Sequence, residues 1–380
     1  MLGFVSLFMD VSSELIHSLL PVFMVTGLGA SALAVGIVEG IAESTALMVK
    51  VFSGALSDWL GKRKALAVLG YGLGALSKPL FAMATTVPLV FGARFMDRIG
   101  KGIRGAPRDA LVADLTPPEI RGAAFGLRQS LDTVGAFLGP LLAIVLMILF
   151  AGDFRTVFWF AVIPAAIAVL LLVFGVQEPD RAPTQGRPVN PIQWSTLLTL
   201  GGTYWFVVAV GAVFTLARFS EAFLILRAQQ LGLPDSLAPL VLVVMNVVYA
   251  VSAYPLGKLA DRMSHRRLLG CGLVVLVAAD VILANATELA AIAVGVAVWG
   301  LHMGMTQGLL ATMVSDSAPA ELRGTAYGFF NLASGIAMLV ASVLAGFLWD
   351  TLGAAVTFYA GAAFSVLALA LIGLVRVPAR

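Results

Sequence analysis

"GALSDWLGKRK" occupies residues 54–64, and "GKLADRMSHRR" occupies residues 257–267. Both read as an apolar helix end, an acid, then a basic run, and Gly257 follows Gly54 by 203 residues. A second phrase behaves the same way: "DLTPPEIRGAAFG" (114–126) returns as "DSAPAELRGTAYG" (316–328), 202 residues later. Two different phrases repeating at nearly one offset mark a duplicated unit of about half the chain.

Composition says where such a unit lives. The chain is 60% hydrophobic and 12% charged over 380 residues, whereas a soluble domain carries about 25% charged residues. The polar residues cannot cover a soluble core this apolar, so lipid is the solvent. Thirty-nine glycines suit helices that pack closely in a bilayer. The single cysteine, Cys271, excludes an internal disulfide and a cysteine-rich metal site. A net charge of +3 with no basic arm gives no reason to expect nucleic acid. The opening "MLGFVSLFMD" has no basic n-region and no small-residue cleavage site, and reads as a retained first span.

Spanning hydrocarbon takes about 20 helical residues. Apolar runs of that order fall near 1–27, 31–57, 65–85, 86–112, 122–150, 156–177, 196–226, 236–258, 268–285, 289–313, 324–349 and 354–376. The polar stretch "VQEPDRAPTQGRPVNPIQ" (176–193) divides them six and six. The expected architecture is therefore all-α: twelve transmembrane helices in two pseudo-symmetric bundles, 1–177 and 195–380, joined by a linker at 178–194. Basic residues gather in the loops after spans 2, 4, 8 and 10, in the linker and at the end of the chain, which places both termini in the cytoplasm.

At this point the phrases resemble a known family. Gly54, Asp58, Gly61, Lys62, Arg63 and Lys64 are similar to the loop 2–3 signature of the major facilitator superfamily, and Gly257, Asp261, Arg262, Arg266 and Arg267 form its second copy, with Ser264 at the later glycine position. The resemblance covers essentially the whole chain. It implies a secondary transporter working by alternating access, with no enzyme activity and no cofactor, acting as a monomer in a bacterial inner membrane. It also implies a conformational role for the loop motif, in which Asp58 ends span 2 and pairs with a neighbouring arginine. "GAFLGP" (135–140) resembles the export-associated element of proton-driven members through Gly135, Gly139 and Pro140, although Ala143 and Ile144 stand where paired glycines are usual. "DVSSE" (10–14) looks similar to a bacterial subgroup linked with efflux.

The residues themselves add a polar constellation. "DRIGKGIRGAPRD" (97–109) carries six formal charges. At offset 202 its span corresponds to "ELAAIAVGVAVWGLHMGMTQGLLATM" (288–313), an ordinary apolar span, so the charges lie within membrane depth. At about 100° per residue, positions 97, 101, 104 and 108 fall within about 60° of arc, with Arg94 at the edge and Arg98 an outlier. Such a face cannot point at lipid. Asp10, Glu14 and His17 share a face of span 1, Glu39, Glu43 and Lys50 a face of span 2, and Arg128 and Asp132 a face of span 5 with the two glycines. The second half is sparser, with Arg218, Glu221, Asp280 and His302.

This pattern assigns proton coupling to Asp10, Glu14, His17, Glu39, Glu43 and Asp97, with Glu14, Glu43 and Asp97 foremost. It assigns substrate contact or tuning of those acids to Arg94, Arg98, Lys101, Arg128, Asp132 and Glu221. Asp97 and Lys101, four residues apart, are expected to pair within their helix. The expected partners are protons, the lipid bilayer and a small-molecule or ion substrate whose charge stays open, and no metal ligand set is assigned. Proton-coupled efflux is the leading reading. The alternatives are proton-coupled uptake or exchange of an organic anion on the basic face of span 4, and a non-transporting receptor or scaffold. No phosphate loop, catalytic triad or zinc spacing appears.

Overall fold

The computed structural model describes residues 1–60, 62–178, 199–260, 263–306, 308–319 and 322–374, without the side chains of 58, 260 and 374. Gly61, Asp261 and Arg262 of the loop motif, the side chain of Asp58, and the predicted linker beyond residue 178 lie outside the described residues.

The described chain is helical throughout, with no strand. Span 1 is α1 (Leu2–His17), continued by Leu20–Val22 and a π-helical turn, Phe23–Gly27. Then follow α2 (Ala32–Leu60), α3 (Arg63–Met83), α4 (Val87–Leu115) and α5 (Arg121–Leu149). Span 6 is broken into α6 (Phe154–Phe160) and α7 (Val162–Gly175), and span 7 into α8 (Gly202–Ala217) and α9 (Ala222–Gln230). The remainder are α10 (Leu240–Ala260), α11 (His265–Asn285), α12 (Leu289–Thr306) with α13 (Leu309–Ser317), α14 (Arg323–Leu352) and α15 (Ala354–Leu374). The break between α12 and α13 falls at Gly308, whose φ of 76° is left-handed and suits glycine. Eleven of these segments are long and apolar enough to cross a membrane. The twelfth, α4, has 29 residues but carries the charges of 97–109. Side chains such as Leu76, Ile148, Leu149 and Phe174 are exposed, as a lipid-facing surface requires.

Contacts group the chain into two compact units. One holds Met1–Ala30, Ile41–Pro191 and Asp235–Leu240, and the other Ser31–Gly40, Ile192–Pro234 and Val241–Arg380. Helix α2 is thus shared, its first turns packing within the second unit. There the Asp350 carboxylate accepts from the backbone N–H of Ala32 and of Leu33, at 3.1 and 2.9 Å, capping the start of α2.

Each unit repeats the same pairings. In the first, α3 packs on α4 and α7, and α1 on α5 and α7. In the second, α11 packs on α12 and α15, and α8 on α14 and α15. The register repeats too. A Cβ on Gly70 would meet the Arg104 Cβ at 2.7 Å, and one on Gly272 would meet the Thr306 side chain at 2.4 Å; 70 and 104 map onto 272 and 306 at offset 202. The loop phrases also touch in both units. Arg63 Nη1 pairs with Asp114 at 2.5 Å, and His265 Nδ1 lies 3.8 Å from Asp316. Arg121 donates to the carbonyls of Ala113 and Thr116, and Arg323 to that of Ser315.

Candidate functional site

The polar face of α4 is positioned by missing side chains. Backbone approaches backbone where α3 crosses α4: a Cβ on Gly100 would stand 2.6 Å from the Gly70 carbonyl oxygen and 2.9 Å from the Gly74 nitrogen. On the other side, a Cβ on Gly102 would meet Val49 at 2.7 Å, and the Ser53 hydroxyl donates to the Gly102 carbonyl. These crossings bring long polar side chains of α2 and α3 onto α4.

Lys78 is the residue that sequence reasoning missed. Its Nζ donates to Asp97 Oδ1 at 2.8 Å and to Ser13 Oγ at 3.0 Å. The Asp97–Lys101 pair expected from spacing does not form. Asp97 pairs across helices with Lys78, and its Oδ2 lies 3.2 Å from Arg98 Nε; the Lys101 residue is exposed. Arg98 is not the outlier that helix phase suggested. It is buried, and its Nη1 donates to Glu43 Oε1 at 3.1 Å while Arg94 Nη2 lies 3.5 Å from the same oxygen. A guanidinium at the end of a long stem reaches well around a helix, so phase at Cα misplaces it. Lys78, Arg94, Asp97 and Arg98 are each no more than 2% exposed. Charges so buried persist only when paired.

About two turns on, the Arg104 guanidinium stands 4.9 Å over the Tyr71 ring, a cation–π arrangement. Arg108 donates to Ser6 Oγ at 3.1 Å and to Asp109 at 3.0 Å. Ser6 Oγ is 3.2 Å from the Tyr71 hydroxyl. Arg128 donates to Asp132 at 2.5 Å, with Asp109 3.7 Å from its Nε. The cluster therefore joins α1, α2, α3, α4 and α5 within the first unit.

Two expected members sit elsewhere. Glu39 is buried in the stretch of α2 that packs within the second unit, one turn from Glu43, which belongs to the first. Glu221 lies in the break of span 7, ahead of α9 in the second unit. Of the loop-motif residues that are described, Lys62 precedes α3 and is exposed, and Gly257 has open space around it. A Cβ on Gly54 would reach the Ala106 Cβ at 3.5 Å. The backbone N–H groups of Arg63 and Lys64 both donate to Glu178 Oε1, which caps α3 from the far end of span 6.

The export-type glycines have a clear physical role. A Cβ on Gly135 would lie 2.7 Å from the Leu7 carbonyl and 3.0 Å from the Asp10 Cβ; one on Gly139 would lie 2.8 Å from the Glu14 Cβ and from the Val11 carbonyl. Helix α5 thus seats directly on the acidic face of α1, and Pro140 is buried beside that seat. Glu14 Oε2 is 3.2 Å from His17 Nδ1.

The sequence model of the Major Facilitator Superfamily matches residues 2–336 and 221–380. The chain belongs to this superfamily. Among its relatives in the superfamily, the uncharacterized MFS-type transporter MJ1317 of Methanocaldococcus jannaschii is 29% identical over 375 residues, covering 97% of this chain and 92% of that one. The multidrug resistance protein MdtH of Yersinia pestis is 24% identical over 352 residues, covering 88% and 82%. Among solved structures, a point mutant of the nucleoside transporter NupG superposes with a TM-score of 0.82 at 13% identity over 99% of each chain. A bacterial homologue of the human lysosomal transporter Spinster gives 0.79 at 16% identity, covering 98% of this chain and 95% of that one. The fold is that of the superfamily, and the protein is a multi-pass membrane transporter.

Proposed function

We propose that this transporter exports a small molecule or ion in exchange for protons, with the acids of α1 carrying the proton. The observation that carries this reading is how the carboxylates of the first unit are occupied. Asp97, Glu43, Asp109 and Asp132 each lie within 4 Å of a lysine or arginine. Among the described residues, Asp10 and Glu14 have no lysine or arginine that close; the nearest charged contact of Glu14 is His17 Nδ1 at 3.2 Å, with Lys101 and Arg98 farther off. A carboxylate locked to a guanidinium holds its charge through the cycle, whereas one without a fixed cation can change protonation as its surroundings change. The reading thereby narrows from Glu14, Glu43 and Asp97 to Glu14, His17 and Asp10, with Asp97 and Glu43 holding the basic residues in place. The close seating of Gly135 and Gly139 on this face and the relationship to MdtH, a multidrug resistance protein, support export. An inner-membrane location with both termini cytoplasmic, protons as the second partner and a monomeric state belong to the same reading.

The test is a substrate screen in proteoliposomes under an imposed pH gradient. Glu14→Gln is expected to abolish transport driven by the gradient while substrate binding stays measurable. Gradient-driven transport at wild-type rates in both Glu14→Gln and Asp10→Asn rejects the assignment.

A second reading has its own observation. Lys50 and Lys101 are exposed, neither has an ion-pair partner among the described residues, and the Lys50 stem lies against Gly105, one turn from Lys101. Two exposed lysines on the facing stretches of α2 and α4 suit an anionic substrate, taken up or exchanged. Saturable binding of organic anions that is lost in Lys101→Gln would favour this reading.

A further inference from the structure

At offset 202, Lys78 and Asp97 map onto Asp280 and Trp299, and the helix pair that carries them is packed in the same register in both units. The first unit places an ammonium and a carboxylate 2.8 Å apart at these positions. The second unit places a carboxyl where the ammonium was and an indole where the acid was. Asp280 is fully buried, and neither carboxyl oxygen has a hydrogen-bond partner among the described residues. The Trp299 Nε1 is likewise without one.

We propose that Asp280 is a proton-binding site of the second unit, holding its proton as a neutral carboxylic acid in the arrangement described here. The groups around it supply no paired cation. On α12, the titratable side chain is His302, whose Nδ1 is 2.7 Å from the Gly272 carbonyl, two turns of α11 away from Asp280. On α15, Tyr359 donates to Asn285. From span 7, Arg227 is spent on the carbonyls of Leu283, Ala284 and Ala286 and on Gln230, Arg218 lies against the Phe214 ring, and Glu221 is itself an acid. On α11 the remaining titratable groups, His265, Arg266, Arg267 and Cys271, lie toward its far end. None forms an ion pair with Asp280. An ionised carboxylate in such a place has no compensation and neutralises instead.

A proton is also the cation that fits. A hard metal ion takes about six oxygen ligands, and no group of three His, Cys, Asp or Glu side chains able to hold a metal occurs among the described residues. An organic cation needs space, which Gly361 and Phe219 occupy. A Cβ on Gly361 would stand 2.8 Å from Asp280 Oδ2 and 3.0 Å from the Phe219 ring, and that ring packs on Trp299 and Phe358 with centroids 5.6 Å away. A proton needs one oxygen and no cavity.

The use of this proton in transport rests on the proton-coupled reading above, but its presence does not. The test is infrared difference spectroscopy across a pH titration of the full chain reconstituted in lipid. The expected result is a protonated-carboxyl band that persists into the pH range where ordinary carboxylates are ionised and is missing from Asp280→Asn. Should that variant fail to fold, Asp280→Glu is expected to keep the band at a changed frequency. A band unaltered by either substitution, or its absence from the wild type, overturns the proposal. Proteoliposome transport separates the two ideas. If wild-type transport ignores the pH gradient yet the band is present, the coupling reading fails and the proton site stands. If transport follows the gradient and no band is found, the site fails alone.

Discussion

The two units share one pattern of helix pairing and differ in what they bury. In the first, the crossing of α3 on α4 encloses Lys78 and Asp97 within a network of arginines and acids. In the second, the equivalent crossing of α11 on α12 encloses Asp280, Trp299 and His302 beside Phe219. The close approach of glycine on one helix of each pair, Gly70 and Gly272, is retained. Duplication therefore preserved what packs the helices and released what the helices carry. At this crossing the first unit carries a network of charges, whereas the second buries one carboxyl beside aromatic rings.

The largest expected effect tests that contrast directly. Lys78→Met leaves Asp97 buried with half its partners, and breaking a buried pair from one side costs about 3–5 kcal/mol. The double variant Lys78→Met/Asp97→Leu is expected to recover much of the loss. Asp280→Asn, which resembles the neutral acid, is expected to cost less than Lys78→Met. Thermal unfolding of the purified protein in detergent would measure all three. Equal losses in Lys78→Met and Asp280→Asn would mean the two crossings are alike after all.

A smaller effect comes from the seat of span 5. Gly135 and Gly139 of α5 map onto Ala337 and Ala341 of α14. Gly139→Ala gives the first unit the second unit's residue, and its Cβ meets α1 at 2.8 Å. Such overpacking costs about 1–3 kcal/mol, and pH-driven transport is expected to weaken as α1 is displaced at Glu14. The reverse change, Ala341→Gly, is expected to cost about 0.5–1 kcal/mol through helix entropy. If Gly139→Ala is as mild as Ala341→Gly, the glycine seat has no special role.

Smaller still are the caps. Asp350 receives two backbone N–H groups at the start of α2, and Asp350→Ala is expected to cost about 1 kcal/mol. Asp153 precedes α6 and accepts from Thr156 Oγ1 at 2.6 Å and from the Arg155 N–H at 3.1 Å. The Thr156 hydrogen bond, with help from Arg155, holds its carboxyl below the ordinary aspartate value. A carboxyl lowered by folding stabilises fully above its unfolded value, near 4, and loses that contribution as pH falls through the lowered folded value. Asp153→Asn should therefore bring its small deficit at neutral pH and little at strongly acidic pH. A deficit constant across that range would exclude the carboxylate as the cause.

Much of this molecule was readable before any coordinates. Twelve apolar runs, the two repeated phrases and the charged face of span 4 follow from composition and periodicity, because burial in lipid requires long apolar helices and a helix repeats every 3.6 residues. The same periodicity located Asp10, Glu14 and His17 together, and Arg128 with Asp132, since residues three or four apart meet on one helix. It could not find Lys78, which lies 19 positions before Asp97 in a different helix and meets it because Gly70, Gly74 and Gly100 let two backbones touch. Nor could it tell that Arg98 turns back to Glu43, that Asp97 pairs with Lys78 and not with Lys101, or that the Asp280 carboxyl has no hydrogen-bond partner among the described residues. Sequence determines which faces are polar. Which polar groups meet is decided by the crossing point of two helices, a tertiary quantity that no spacing along one helix contains.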